Sequence, residues 1–344
     1  MGIYPFFRKL LFYLEPEKAH ELTLSLMRLV GAFPPLYEVL RRRFSVPSKP
    51  VQAFGLTFGN PVGLAAGYDK DGLCWRGLAC LGFGHVEIGT VTPLAQKGNP
   101  KPRIFRLEGD RALINRMGFP GRGAEFVARQ LHLPRPVGLI LGVNLGKNKD
   151  TPLEEAAGDY VNLLRRFASL GDYLAINVSS PNTPGLRRLQ ARTELEQLLS
   201  RLAQERRELL SNLNSQKPIP LLVKLAPDLS SVELDDALGA ILDSGMDGVI
   251  ATNTTLWREG FSSPLRRETG GLSGAPLFRL SLETVQRITQ RTQGHLPILG
   301  VGGIENAVEA QAMLDAGAVL VQVYTGLIYQ GPGLVRQILS GLRE

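Results

Sequence analysis

Residues 177–186, NVSSPNTPGL, place two asparagines, two serines and two prolines directly behind the apolar run 173–176. The stretch holds no histidine, carboxylate, lysine or cysteine, so what it offers is neutral hydrogen bonding. Amides of this kind hold a polar ring through paired donors and acceptors. Lys70 and Lys224 follow other, nearly uncharged apolar runs, where a cationic side chain can hold negative charge on a substrate or a reduced ring. Gly302 and Gly303 let the backbone approach a ligand closely. Tyr324, Thr325 and Gly326 supply N–H groups near a helix start, an arrangement suited to phosphate. His20, His85, His132 and His295 are scattered and join no carboxylate or thiol cluster, so no metal site is expected.

These residues all follow short apolar runs: 62–66, 86–89, 137–143, 173–178, 221–225, 248–251, 298–301 and 319–323. The runs are continuous rather than alternating, as parallel strands covered on both faces require. Segments 193–210, 231–245, 277–292 and 305–317 between them have helical spacing. Eight such repeats predict an α/β chain folded as a (β/α)8 TIM barrel, whose active site lies at the C-terminal strand ends. Residues 51–60 read as a small hairpin closing the barrel floor. Residues 1–42 form a separate N-terminal helical extension, read as a pair of helices, and 43–344 the barrel.

The chain has 344 residues, 44% apolar and 21% charged, with a net charge of +7. The first fifty residues carry eight Lys or Arg against four Glu, so the basic excess sits at the N-terminus. Ile3, Phe6, Phe7, Leu10, Leu11 and Leu14 recur at helical spacing, and Leu22, Leu26, Leu29 and Val30 make a second face. These faces either bury each other and cap the barrel, or lie on a lipid surface beside Arg41–Arg43. The opening segment lacks the order of a secretory leader, and no apolar stretch reaches the roughly 18–20 residues that span a bilayer. Cys74 and Cys80 match no zinc or redox spacing and read as buried thiols in a reducing compartment.

GLAAGYDKDG (63–72), EIGTVTPLAQKGNPKPRIFRL (87–107), LINRMGF (113–119), NVSSPNTPGLR (177–187), IATNTT (250–255), GGLSG (270–274), GVGGI (300–304) and YTGLIYQGP (324–332) occur in order. Together they resemble the dihydroorotate dehydrogenases, specifically the quinone-using, membrane-associated class 2 enzymes. YPFFRKLLFYLEPEKAHELTL (4–24) resembles that class's helical extension. The resemblance implies oxidation of dihydroorotate to orotate in pyrimidine biosynthesis, with hydride passing to FMN and electrons then to a membrane quinone. It makes Ser180 the catalytic base, where the soluble class 1 enzymes carry cysteine. A serine base needs its proton passed on and the developing enolate stabilised.

By the same resemblance the substrate is held by Lys70, Asn115, Arg116, Met117, Gly118, Phe119, Asn177, Asn182, Asn253 and Thr254. FMN is expected against Ala66, Gly67, Tyr68, Asp69, Lys70, Thr90, Asn144, Asn177, Lys224, Thr252 and Gly274, with its phosphate at Gly303, Tyr324 and Thr325. His20, Arg106 and Tyr324 match the quinone-contacting positions. Tyr68 departs from the family's smaller apolar or phenylalanine side chain and is expected to flank the site without a polar role. No nicotinamide fingerprint or iron–sulfur cysteine cluster is present, so the oxidant is diffusible. Ser180 and the extension argue against a soluble fumarate-reducing relative. A tRNA-acting flavin barrel would need an RNA-binding module and a cysteine acid, so no nucleic-acid partner is expected. A non-enzymatic binding module would leave the polar strand ends unexplained. The expected location is peripheral, on an anionic membrane surface at the cytoplasmic face of a bacterial cell membrane.

Overall fold

A computed structural model describes residues 4–212, 217–261 and 263–343, without the side chain of Asn212. Ile3, counted above in the first apolar face, lies outside the described residues. The N-terminal extension is three helices, α1 (Tyr4–Tyr13), α2 (Pro16–Ala32) and α3 (Pro34–Arg43), not the expected pair. Pro34 and Pro35 explain the extra break. Proline lacks an N–H and disfavours helical geometry in the residue before it, and Phe33 is extended at φ −118°, ψ 96°.

After α3 come the hairpin strands β1 (Val51–Ala53) and β2 (Leu56–Phe58), then β3 (Val62–Leu64), the short helix α4 (Trp75–Leu78) and β4 (His85–Val91). Strands β5 (Ile104–Leu107) and β6 (Ala112–Asn115) precede β7 (Ile140–Leu145), β8 (Tyr173–Asn177), β9 (Leu221–Leu225) and β10 (Gly248–Ala251). The last three are β11 (Gly271–Gly274), β12 (Ile298–Val301) and β13 (Ala318–Val323). Eight parallel strands close a barrel in the order β10-β12-β13-β3-β4-β7-β8-β9. These are the eight runs read from the sequence, and β8, β9, β10 and β12 are buried at every position. The largest shift of a start is at β7, which begins at Ile140 rather than at the fully exposed Val137, because Pro136 and Gly138 (φ +77°) hold 136–139 in a turn.

The helices cover the barrel with apolar stripes. Leu195, Leu198, Leu199 and Leu202 of the helix Arg192–Asn212 are buried at helical spacing. Ser230 and Glu233 form a capping box that starts the helix Ser231–Asp243. Below the barrel, Ala53 and Phe58 of the hairpin pack with Leu222, Ile250, Leu299 and Leu320, so the hairpin does close the floor.

Two features fix the rim. First, β11, β6 and β5 form an antiparallel sheet with its own core of Leu107, Ala112, Ile114, Phe261 and Leu272. Second, α2 crosses α4 at Gly31 and Gly77. A Cβ on Gly77 would lie 1.8 Å from the carbonyl oxygen of Met27, so only glycine permits this approach. The extension is thereby packed onto the barrel wall rather than tethered to it.

Candidate functional site

A single cavity of about 420 Å³ opens at the C-terminal strand ends and continues beneath α1 and α2. Its inner part is lined by Ala66, Gly67, Lys70, Thr90, Asn177, Ser180, Lys224, Thr252, Asn253, Thr254, Gly274, Gly303 and Thr325. Asn115, Met117, Gly118, Phe119 and Asn182 line its side. Its outer part is apolar, between Tyr4, Phe7, Leu11, Phe12, Leu26 and Met27, with His20, Tyr68, Arg106 and Tyr324 at the junction.

The amides form one network. Thr90 Oγ1 donates to Asn144 Oδ1 at 2.5 Å, and Asn177 Nδ2 donates to both of those oxygens at 3.0 Å. Asn253 Nδ2 donates to Ser179 Oγ at 2.9 Å and to Asn177 Oδ1 at 3.2 Å. Asn182 Nδ2 meets Asn115 Oδ1 at 3.2 Å. Ser179 is consumed here, since its own hydroxyl donates to Asn177 Oδ1 at 3.2 Å. Ser180 instead lines the cavity, and its Oγ accepts only a long bond, 3.3 Å from the Asn182 N–H. Of the two serines, the second is the one free to meet a ligand.

The lysines differ. β3 ends at Leu64, so Lys70 stands in the turn after it and not at the strand end, with Nζ 2.5 Å from the Gly67 carbonyl oxygen. Burial pushes its pKa down to about 8, against the opposing charge of Asp71. Lys224 lies within β9, buried, with Nζ 4.0 Å from Glu87 Oε1. Burial lowers its pKa too, and Glu87 opposes that shift.

Three expected contact residues turn elsewhere. Asp69 accepts the backbone N–H groups of Leu73, Cys74 and Trp75 at 2.7–2.8 Å, so its side chain organises the entry to α4. Arg116 Nη1 pairs with Glu268 at 2.6 Å. Asn144 lies behind Thr90 and Asn177 rather than on the cavity wall. Tyr68 does have a polar role: its hydroxyl donates to Thr23 Oγ1 of α2 at 3.1 Å. The only sign of this in the sequence was the departure from the usual residue. Gln96 and Asn99 also escaped the sequence reading. Gln96 holds the carbonyls of Gly118 and Phe119 at 3.1 and 3.0 Å, and Asn99 those of Arg116 and Asn182 at 3.0 and 3.1 Å.

The residues present fit a flat ring cofactor bearing a phosphate. The volume lies in the usual range for small-molecule sites, roughly 300–1,000 Å³. At one end Gly302 and Gly303 take φ of +130° and +75°, and a Cβ on Gly303 would lie 2.4 Å from the backbone nitrogen of Phe278. Thr325 begins the helix Thr325–Gln330, whose first N–H groups have no helical acceptor. Beyond it the rings of His20 and Tyr68 meet edge-on at 5.0 Å, and Tyr68 and Tyr324 at 5.9 Å. Burial and the charge of Lys70 push His20 down to about 3, so it is neutral. Arg106 donates to the carbonyls of Phe12, at 2.9 Å, and Leu14, closing α1 over the chamber.

The two apolar faces do not bury each other. Val30 is buried in the barrel core and Leu11 lines the cavity, while the other members run from 40% exposed at Leu14 to 65% at Phe6, with Phe7, Leu10, Leu22, Leu26 and Leu29 between. No helix among the described residues is long and apolar enough to cross a membrane. Nor, among the described residues, do three or more histidine, cysteine or carboxylate residues cluster to hold a metal. Cys74 and Cys80 are free buried thiols.

The model of the family described as dihydroorotate dehydrogenase matches residues 49–344. Three curated relatives named dihydroorotate dehydrogenase (quinone) are similar over nearly their full length. The protein from Acidithiobacillus ferrooxidans is 50% identical over 98% of this chain and 94% of its own. That from Thermus thermophilus is 51% identical over 97% and 94%, and that from Escherichia coli 47% over 98% and 99%. Among solved structures, an Eimeria tenella DHODH in complex with ferulenol superposes with a TM-score of 0.87. It is 40% identical and covers 94% of this chain and 90% of its own.

Proposed function

The chain belongs to the dihydroorotate dehydrogenase family, and from that premise we propose how the cavity at the strand ends serves two substrates in turn. It is an oxidoreductase of the quinone-dependent type, oxidising dihydroorotate in pyrimidine biosynthesis with quinone as the acceptor. The observation that carries the reading is the continuity of the cavity, from the amide ring around Ser180 to the apolar chamber under α1 and α2. Dihydroorotate fits the polar end and a quinone the apolar one.

The cofactor between them is FMN. When bound, it supplies a hydride acceptor for the first half-reaction and an electron donor for the second. Gly303, Tyr324 and Thr325 hold its phosphate, and Ala66, Gly67, Thr90, Thr252 and Gly274 lie along its ring and chain. Lys224 sets a positive charge beside the ring. Asn115, Asn177, Asn182, Asn253 and Thr254 orient dihydroorotate through its amides, and Lys70 holds its negative charge. Ser180 Oγ takes the proton at C5 while its own hydroxyl proton passes on to water. Its one long internal hydrogen bond leaves the oxygen available to accept that proton. Arg116 contributes through its backbone, since its side chain is committed to Glu268.

Residues 1–42 form the quinone segment, with His20, Arg106 and Tyr324 at the junction, and 43–344 the catalytic barrel. The exposed apolar faces rest on an anionic membrane surface. Arg41 and Arg42 both bond Glu38, at 2.7 and 2.9 Å, and with Arg43 leave the end of α3 positively charged.

Anaerobic mixing with dihydroorotate tests the reading. The flavin absorbance should bleach in a single turnover and return when a long-chain quinone is added. Bleaching by dihydroorotate without recovery by any quinone would confine the proposal to the polar end.

A further inference from the structure

Glu87 lies on β4 with no exposed surface, one layer below the cavity floor. Its carboxylate accepts hydrogen bonds from Asn144 Nδ2 at 2.8 Å, the Tyr173 hydroxyl at 2.9 Å and Gln322 Nε2 at 2.9 Å. Lys224 Nζ stands 4.0 Å away. These groups come from four other barrel strands, β7, β8, β13 and β9, and converge on the one carboxylate. A carboxylate needed only for packing would be served as well by an apolar side chain, without the cost of burying a charge. Among the described residues Glu87 is also the only carboxylate within ion-pair distance of Lys224.

We propose that Glu87 is a positioning residue that keeps Lys224 protonated and aimed at the cavity, so that the charge beside the cofactor ring is set from beneath. The inference rests on the reading above that Lys224 lies against FMN.

The other titratable groups facing the pair do not supply this charge. Tyr173 is pushed well above its ordinary value by burial and by Glu87, so its hydroxyl remains a donor. His85, at the start of β4, packs edge-on to Tyr173 at 6.4 Å, and burial pushes it down to about 3, leaving it neutral. Tyr324, across the cavity, is raised by burial and uncharged. Burial alone would drive the proton off Lys224, and Glu87 is the group that opposes it.

The two roles open to Glu87 move the flavin in opposite directions. A negative charge acting directly on the ring opposes its reduction, so removing it would raise the midpoint potential equally at every pH. A charge acting through Lys224 gives a different result on removal. In Glu87→Gln, Lys224 should lose its proton within the measurable range. Both the midpoint potential and the affinity of the apoprotein for FMN should then break with pH, falling below wild type on the alkaline side. Wild type should show no such break, and Glu87→Gln/Lys224→Met should lose it. A uniform rise without a break in Glu87→Gln would overturn the inference.

A second measurement does not depend on that variant folding. In Lys224→Met apoprotein, the unpaired buried Glu87 should take up a proton and give a carboxylic-acid infrared band, absent from wild type. No such band would also overturn the inference. If the band appears while Lys224→Met leaves the potential of bound FMN unchanged, the Glu87–Lys224 coupling stands. The placement of Lys224 beside FMN then falls.

Discussion

Arg103, on the loop before β5, grips Glu17 of α2: Nη2 lies 2.7 Å and Nε 3.2 Å from the two carboxylate oxygens, and both side chains are less than a tenth exposed. The same guanidinium donates through Nη1 to the carbonyls of Lys97 and Asn99, at 2.7 and 3.0 Å. Asn99 in turn holds the carbonyls of Arg116 and Asn182. The helix that roofs the apolar chamber is therefore joined, through one buried ion pair, to the loops that line the dihydroorotate end.

Removing one member of a buried pair costs about 3–5 kcal/mol, because the other is left uncompensated. Arg103→Met should fall toward the low end, since Lys101 Nζ also reaches Glu17 at 3.3 Å. Thermal unfolding should show the loss, and turnover with long-chain quinone should drop more than turnover with a small soluble oxidant. Burial raises the Glu17 carboxyl, but the hydrogen bonds and charge of Arg103 outweigh it and leave the group below its ordinary value. A depressed carboxyl gives stability that is complete above the unfolded pKa and is lost as pH falls through the folded one. The stability gap between wild type and Glu17→Gln should thus close on acidification below the ordinary carboxylate pKa. A gap constant with pH would remove the ion pair as its source.

Ser180→Ala should keep its flavin and bind orotate, yet lose roughly 10²–10⁴-fold in the rate of flavin bleaching, the usual scale for a lost general base. Ser179→Ala should instead disturb the position of Asn253 and raise KM more than it lowers the bleaching rate, because Ser179 faces the amides and not the cavity. Stopped-flow traces of the two variants decide the matter, and equal losses would refute the assignment.

Lys70 titrates within reach of assay. With its pKa near 8, the free protein loses the charge above that pH, so kcat/KM for dihydroorotate should fall on the alkaline side of about 8. kcat should not fall there, because the bound anion favours the protonated lysine. Lys70→Gln should have low kcat/KM without this alkaline limb, while retaining FMN. A limb unchanged in Lys70→Gln would assign it to another group.

The barrel was legible because each strand is a continuous apolar run, and the polar ends of those runs became the cavity wall. The polar loop 177–185 and both lysines announced themselves as polar groups where apolar ones are expected, whereas Ser180 over Ser179, and Asn115, followed from the family resemblance. Glu87 did not: it lies inside a strand, and only closure of the barrel brings Asn144, Tyr173 and Gln322 to it. Nor did the antiparallel sheet, since β6 pairs with β11 from Ala112–Asn115 to Gly271–Gly274, across more than half the barrel sequence. Pairing at that separation leaves no local periodicity. The third N-terminal helix was readable in principle from the prolines after Phe33, but the two apolar faces at 3–14 and 22–30 drew the reading to two helices.

The exposed faces of α1 and α2 can be tested without dismantling the chamber. Deleting residues 1–42 is a blunt experiment, because it would uncover Trp75 and Leu78 and leave Arg103 unpaired. Phe6, Leu10, Leu22 and Leu29 point outward and do not line the cavity. Replacing all four with glutamine should leave flavin bleaching by dihydroorotate and turnover with a soluble oxidant near wild type. Binding to anionic vesicles should weaken strongly, since the apolar contribution scales with the area buried in the interface. Replacing Arg43 with Gln should weaken vesicle binding less, by about 1 kcal/mol, the usual value per basic residue near such a surface. Added salt should reduce the arginine contribution and spare the apolar one. Long-chain quinone delivered in vesicles should then turn over slowly in the four-residue variant, and recover when the same quinone is presented in detergent. Full activity on vesicle-bound quinone would show that these faces serve some contact other than lipid.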